Sequence, residues 1–201
     1  MSQPNMNTMV DAIGSAFRSE RLTYRAIEDN EVDKDFIFTH LADPVTWALS
    51  NPSIHRPASR KASDEMTVSG IRDSLLAVMI CITGDSPSSS EPIGGLWIKE
   101  AKPYQRRGLL GIRISSAYQN KGYGFEAINW AMDWAFKWGG FHSLALGASL
   151  YNERAVAVYK KAGFKQEGVS REAVYRDRKW LDTVQLAILE QEWEELRGMR
   201  N

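Results

Sequence analysis

Two clusters of residues in this chain have the types and spacing to do chemistry. The first is Gln119-Asn120-Lys121-Gly122-Tyr123-Gly124. Its glycines permit close approach and unusual dihedrals, so successive backbone N–H groups can point outward at a helix start, where the dipole favours an anion. A diphosphate fits such a turn. Lys121 precedes its glycine and no Gly-Lys-Ser/Thr follows, which excludes a triphosphate loop, and the longer dinucleotide fingerprint is absent. Taken alone, Gly-x-Gly between strand and helix also makes a plain tight turn. The second cluster is Asn152-Glu-Arg-Ala155-Val-Ala-Val-Tyr159-Lys-Lys-Ala-Gly163-Phe164. Asn152 suits an N-cap, Lys160 and Lys161 a last turn, and Gly163 a C-terminal cap, so helix physics accounts for several of these residues. Tyr159 needs another reason. Seven helical positions make almost two turns, which puts Asn152 and Tyr159 on one face with Ala155 and Val156 between them. An amide and a phenol then line one groove.

A sheet and its helices have to hold these clusters. Leu22, Tyr24 and Ala26 alternate with polar residues and predict a first strand; Val32, Phe36 and Ile37 share one face of a helix over 31–41, ended by Asp43-Pro44. Residues 47–60 carry prolines and turn formers and read as a loop able to cover a pocket, before a helix near 61–72. Apolar runs at 75–83, 92–100 and 108–115 predict the next strands, the first two joined through a polar, Ser-rich connection at 86–90. Gly111 marks a bulge or a close backbone approach. A long helix starts near Gly122, with Ala127, Ala131, Trp134 and Trp138 in a stripe that places both tryptophans in the core and ends at Gly139-Gly140. A strand at 143–149, a helix at 152–162, strands at 164–174 and 181–189 and an acidic amphipathic tail complete the order. The pattern is α/β, with one sheet. Residues 1–20 read as an arm or short docking helix, 21–193 as a single domain and 194–201 as a tail.

Composition narrows the function classes. The chain has 201 residues, 43% hydrophobic and 25% charged, as expected of one globular domain. Its 25 basic and 25 acidic residues cancel, which argues against nucleic acid or an anionic membrane as partner. Cys81 is the only cysteine, so no intrachain disulfide or multi-cysteine metal site is possible, and an apolar strand makes it a small buried residue. His40, His55 and His142 show no metal spacing. Residues 1–20 lack the pattern of a secretory signal, and no run approaches the ~18–20 apolar residues of a membrane span. These features predict a soluble, cytoplasmic protein without a metal; monomer and homodimer are both open.

Together, Gln-x-x-Gly-x-Gly after a strand and Asn-x-x-Ala-x-x-x-Tyr-x-x-x-Gly-Phe further on resemble the GNAT superfamily of acetyl-CoA-dependent N-acetyltransferases. The likeness is strongest to the branch with ribosomal-protein alanine acetyltransferases and spermidine acetyltransferases, and covers about residues 21–193. It implies a GNAT-like fold: a central, mostly antiparallel sheet of about seven strands, flanked by helices and splayed between strands four and five. It also implies that Gln119, Asn120, Lys121, Gly122, Tyr123 and Gly124 bind the coenzyme A diphosphate. Ile112, Arg113 and Ile114 would run beside the pantetheine, with a bulge at Gly111 opening the strands. Asn152, with Ala155, would contact the cofactor, and Tyr159 would protonate the departing thiolate.

A backbone N–H near 112–114 would then stabilise the oxyanion while an amine attacks directly, without an acetyl-enzyme. Many relatives carry a glutamate two residues before the strand-four glycine, where this chain has Leu109. Glu100, Glu65 or ordered water are the substitutes for that base. Position in such a fold puts Trp47, His55, Tyr104, Arg106, Trp180 and Asp182 around the acceptor, which is a small-molecule or peptide amine: a protein N-terminus, a polyamine or an amino sugar. The competing reading is a non-catalytic acyl-CoA-binding regulatory domain, favoured by the missing glutamate and opposed by Tyr159.

Overall fold

The alternating and continuous apolar runs become neighbouring strands of one sheet, in a computed structural model that describes residues 5–84 and 90–200. In chain order the elements are α1 (Met6–Ser15), β1 (Leu22–Ala26), α2 (Glu31–Phe36), a π-helical turn (Ile37–Leu41), α3 (Pro44–Ser50), α4 (Arg60–Arg72), β2 (Leu76–Ile82) and β3 (Glu91–Lys102). They continue with β4 (Arg107–Ile114), α5 (Tyr123–Lys137), β5 (Ser143–Ser149), α6 (Glu153–Lys161), β6 (Lys165–Arg176), β7 (Lys179–Leu189) and α7 (Glu190–Leu196). Apart from Ser90, the expected Ser-rich connection lies outside the described residues.

The strands lie in the order β1-β2-β3-β4-β5-β7-β6, and every neighbouring pair is antiparallel except β4 with β5. That parallel pair is short. It runs from Arg107 opposite Ser143 to Leu109 opposite Ala145 and stops, while β4 continues against β3 to Ile114 and β5 against β7 to Ser149. Each strand follows its antiparallel neighbour, so the sheet splits from Leu110 onward and one edge of β4 is left without a strand partner. Two glycines mark the change. A Cβ on Gly108, at the closed end, would stand 2.9 Å from Leu144 Cδ1, whereas one on Gly111 would meet nothing within 4 Å. The bulge expected at Gly111 is absent: Gly111 faces Trp97 in unbroken register, and the irregularity of this pair lies between Glu100 and Lys102. Diverging partners, not an inserted residue, open the sheet.

Helix α5 covers one face. Ala127, Ile128, Ala131 and Ala135 recur at helical spacing and are buried in the cluster that holds Leu96, Ile98, Leu110, Leu144 and Leu186. Each large aliphatic side chain buried there contributes roughly 1.5–3 kcal/mol. Trp134 is partly buried, but Trp138 is 44% exposed, because it is the C-cap residue where the helix gives way to Gly140 at φ 61°. Trp130 packs instead: it stacks on Tyr24 with ring centroids 3.6 Å apart and donates its indole N–H to the Ala16 carbonyl.

The other face has a smaller core of Ile27, Ile37, Leu41, Met79 and Cys81. Beside it Asp33, 2% exposed, accepts both arms of Arg25 at 2.7 and 2.6 Å and the Glu28 N–H at 2.9 Å. The loop expected over 47–60 begins as helix, since α3 runs to Ser50. Asp43 caps it by accepting from the Val45 and Thr46 N–H groups, and Pro44 takes the first helical position, where a missing N–H costs nothing. The Asp-Pro pair that stops one helical run therefore starts the next. At the chain ends, α1 buries none of its residues, and α7 runs through the boundary expected at 193. Trp193 is buried, and Arg197 donates to Asp133 and Asn129, so the tail is anchored on α5. Among the described residues no helix is long and apolar enough to cross a membrane.

Candidate active site

The split between β4 and β5 opens a cavity of about 670 Å³. At one end lies the loop after β4. Gln119 folds it back on the strand by donating Nε2–H to the Ile114 carbonyl at 2.9 Å. Asn120 and Gly122 take positive φ values of 62° and 85°, and Gly122 is the N-cap of α5. Among the described residues the N–H groups from Asn120 to Gly124 donate to no protein acceptor. They are the free donors of a helix start, a position that favours an anion.

Side chains from distant segments brace this loop. Arg154 on α6 donates to Asn120 Oδ1 and Gln119 Oε1, both at 3.2 Å. Arg21, whose Nη1 donates to the Lys121 carbonyl at 3.1 Å, also pairs with Glu126 at 2.7 Å across 105 positions of sequence. Burial raises the Glu126 carboxyl, but hydrogen bonds from the Arg21 backbone, Ser19 and the Arg21 side chain outweigh it and hold it below its ordinary value. Arg21, Glu126 and Arg154 all escaped the sequence reading. An acidic residue in the first turn of a helix is a signal on its own, but nothing local ties Arg21 to it.

Along the cavity the open edge of β4 forms one wall, Gly147 to Ser149 of β5 another, and Ala155, Val158 and Tyr159 of α6 a third. Asn152 has both ends of its amide engaged: Oδ1 accepts the Ala155 N–H at 3.3 Å as the N-cap, and Nδ2 donates to the Leu49 carbonyl at 3.1 Å. It caps α6 and tethers α3 while lining the cavity, and the second lone pair of Oδ1 and the second proton of Nδ2 are not used by these two bonds. The Tyr159 ring tilts against Phe164, and its hydroxyl has no hydrogen-bond partner among the described residues. Burial pushes its pKa up to about 12, so the phenol keeps its proton at neutral pH. Among the β4 residues expected beside the pantetheine, Ile112 and Ile114 pack toward the α5 core, whereas Arg113 lies over the Trp47 ring, 4.7 Å from its centroid.

The residues expected around the acceptor are mostly elsewhere. Trp47 supports Arg113 and does not itself line the cavity, and neither does His55. Glu65 is exposed on α4 with Lys61 at 4.0 Å. Tyr104 is exposed in the turn between β3 and β4, at the closed end of the parallel pair. Glu100 pairs with Gly108 across β3 and β4, and its side chain lies outside the described residues. Arg106 donates to the Gly140 carbonyl and so holds a turn, and Asp182 accepts the Glu172 N–H within the β6–β7 hairpin. Trp180 is exposed against Tyr175 at the tip of the β6–β7 hairpin. The cavity is lined instead by Thr46, Leu49 and Ser50 of α3 and by Ser170, Thr183 and Gln185 in the middle of that hairpin. The pairing of β6 with β7 is irregular between Ser170 and Val174, with Glu172 at φ 51°, a distortion that sequence periodicity does not announce.

Known proteins are similar to this chain in sequence and in fold. An uncharacterized N-acetyltransferase of Bacillus subtilis (strain 168), YnaD, is 34% identical over 84 residues, 42% of this chain and 49% of that protein. The spermidine N(1)-acetyltransferase of Escherichia coli (strain K12) is 28% identical over 103 residues, 51% of this chain and 55% of that protein. The chain spans about half the length of these curated relatives. The fold superposes on the crystal structure of spermidine N-acetyltransferase from Vibrio cholerae in complex with CoA and spermine, with TM-score 0.72 and 23% identity, covering 87% of this chain and 99% of that one. Residues 50–164, a span that includes β4, the loop from Gln119 to Gly124 and Tyr159, match the acetyltransferase (GNAT) family, and the chain belongs to that family.

Proposed function

We propose that the protein transfers an acetyl group from acetyl-CoA directly to a primary amine. One observation carries this reading: a single cavity joins free backbone donors at a helix start, an open strand edge and an unpartnered, protonated tyrosine. When bound, acetyl-CoA supplies a thioester carbonyl. The N–H groups from Asn120 to Gly124 and the guanidinium of Arg154 hold its diphosphate. The edge of β4 from Leu110 to Ile114 takes the pantetheine amides as an added strand, and an N–H of that edge receives the oxyanion. Tyr159 donates to the sulfur as the C–S bond breaks. The proton gained by sulfur is balanced by the one lost from nitrogen. Among the described residues no aspartate or glutamate lines the cavity, so that proton leaves through water held by the hydroxyls of Ser149, Ser170 and Thr183. The reaction is set in the cytoplasm, where the buried Cys81 thiol stays reduced.

Two measurements test the proposal. Acetyl-CoA is expected to raise Tm, since a ligand of the native state stabilises it, and coenzyme A is expected to be released with at least one amine from a panel of peptides, polyamines and amino sugars. An unchanged Tm at high acetyl-CoA overturns the reading. Stabilisation without release from any amine leaves a binding domain in place of an enzyme.

A further inference from the structure

The cavity wall carries charge of one sign. Among the described residues its charged side chains are Arg113 and Arg154. Their surroundings differ. Arg154 is exposed and already grips Gln119 and Asn120 at the phosphate loop. Arg113 sits on β4 opposite Gly95, and its guanidinium rests over the Trp47 ring of α3. It makes no hydrogen bond or salt bridge among the described residues, unlike its strand neighbour Arg107, which pairs with Glu167 at 2.6 Å. Burial pushes the pKa of Arg113 down to about 10 with no carboxylate opposing it, and the group is still cationic at neutral pH.

A partly buried guanidinium on the cavity wall without a hydrogen-bonding partner is open to an anion from the cavity, and its planar fork matches a carboxylate. Strand alternation puts Arg113 on the same side as Leu109 and Gly111, away from Ile112 and Ile114, which pack under α5. Its anion is therefore met on the α3 side of the split, whereas the diphosphate donors lie at the start of α5. The oxyanion N–H proposed above belongs to the edge from Leu110 to Ile114, no more than three positions or about 10 Å along the strand from Arg113, a span that an amino acid or short peptide covers. A polyamine would add ammonium groups beside Arg113 with no carboxylate on the wall, among the described residues, to receive them.

Resting on the acetyl-transfer reading above, we propose that the acceptor amine also carries a carboxylate, and that Arg113, positioned by Trp47, binds it. The acceptor is then an amino acid or short peptide with a free carboxylate, rather than a polyamine.

The test assays coenzyme A release by the full chain with a panel of α-amino acids and dipeptides, each against its carboxamide, and with spermidine. R113M and R113K are run alongside. For the preferred acceptor, KM is expected to be at least ~10-fold lower for the acid than for the amide. R113M is expected to erase that difference and R113K to restore part of it, with the effect on the KM for the acid acceptor exceeding any effect on the KM for acetyl-CoA. A second readout needs no turnover: with coenzyme A present, the N-acetylated acids should raise Tm more than their amides, and R113M should abolish the difference. Equal response to acid and amide, spermidine as the best acceptor, or a change confined to the KM for acetyl-CoA would each overturn the assignment. The two readings fail separately. No release from any amine, with Arg113-dependent stabilisation by N-acetylated acids, removes the transfer and keeps the anion site; release that ignores the carboxylate does the reverse.

Discussion

In the proposed reaction the diphosphate end of the cavity is made of backbone and the acceptor end of side chains, and the two are braced differently. At the first end, Gln119, Arg21 and Arg154 hold one short loop from three directions, and α5 behind it packs on the larger core. At the second, α3 is tied down by the Asn152 amide, and the residues after it by Arg176, which donates to the Asn51 and Ser53 carbonyls. Behind them stands the smaller core beside Asp33 and Arg25. A group that every catalytic cycle presents unchanged can be bound by backbone donors that a few glycines allow. A group that differs from one enzyme to the next has to be met by side chains, here gathered from α3, β4, β6 and β7.

The largest effect is expected in the smaller core that stands behind the acceptor end, where Asp33→Asn leaves Arg25 without its charged partner. Removing one member of a buried pair costs about 3 kcal/mol, the lower end of the range because Arg25 is partly exposed. Urea unfolding reads this directly, and a loss under about 1 kcal/mol would mean that the smaller core does not lean on the pair. Acid separates the variants further. Burial raises the Asp33 carboxyl, but the hydrogen bonds from Arg25 and Glu28 outweigh it and leave it below its ordinary value. Its contribution is therefore complete above about pH 4 and lost as pH falls through the lower folded value. Wild type should lose stability there, and Asp33→Asn should not show that component.

Tyr159→Phe comes next, with kcat expected to fall ~10²-fold while the KM for acetyl-CoA stays put, as for a lost general acid. Unchanged turnover would remove Tyr159 from the reaction. Because its pKa stands at about 12, the wild-type rate should climb with pH as the amine deprotonates, with no descending limb from Tyr159 below about pH 10.

The same division decides what could be read before folding. The strand and helix order was legible because each core element repeats its apolar residues with the period of its own geometry, and the Gln119 to Gly124 and Asn152 to Tyr159 clusters were legible because each is contiguous. The start of α3 was written in Asp43-Pro44, a cap and a first helical position that also resemble a stop. The acceptor wall was not legible. Thr46, Arg113, Ser170 and Thr183 are ordinary residues until the sheet splits beside them, and reasoning from position chose the hairpin tip at Trp180 where the hairpin middle faces the cavity. Arg21 and Glu126 were hidden for the same reason, since only the packed sheet brings them together.

At the diphosphate end a smaller effect tests whether backbone conformation is the binding element. Gly122 holds φ 85°, and a Cβ there would stand 3.2 Å from Arg21 Nη2. Gly122→Val forces a β-branched residue into that conformation at a strain of about 1–3 kcal/mol. If the loop relaxes to relieve it, the free N–H groups no longer converge, and acetyl-CoA affinity should fall ~10- to 100-fold in a calorimetric titration. Unaltered affinity would reduce the loop to a turn.

The smallest effect separates the braces from the backbone they hold. Arg154 is exposed and its hydrogen bonds to Gln119 and Asn120 are 3.2 Å long, so its loss should weaken acetyl-CoA binding only about threefold, the scale of an exposed charge contact. Charge should carry most of that difference. Wild type and Arg154→Ala are then expected to converge as salt rises toward 1 M, where screening reaches within about 3 Å. A deficit that persists at high salt would instead make Arg154 a structural brace of the loop, which would move it from the ligand's side of the comparison to the fold's.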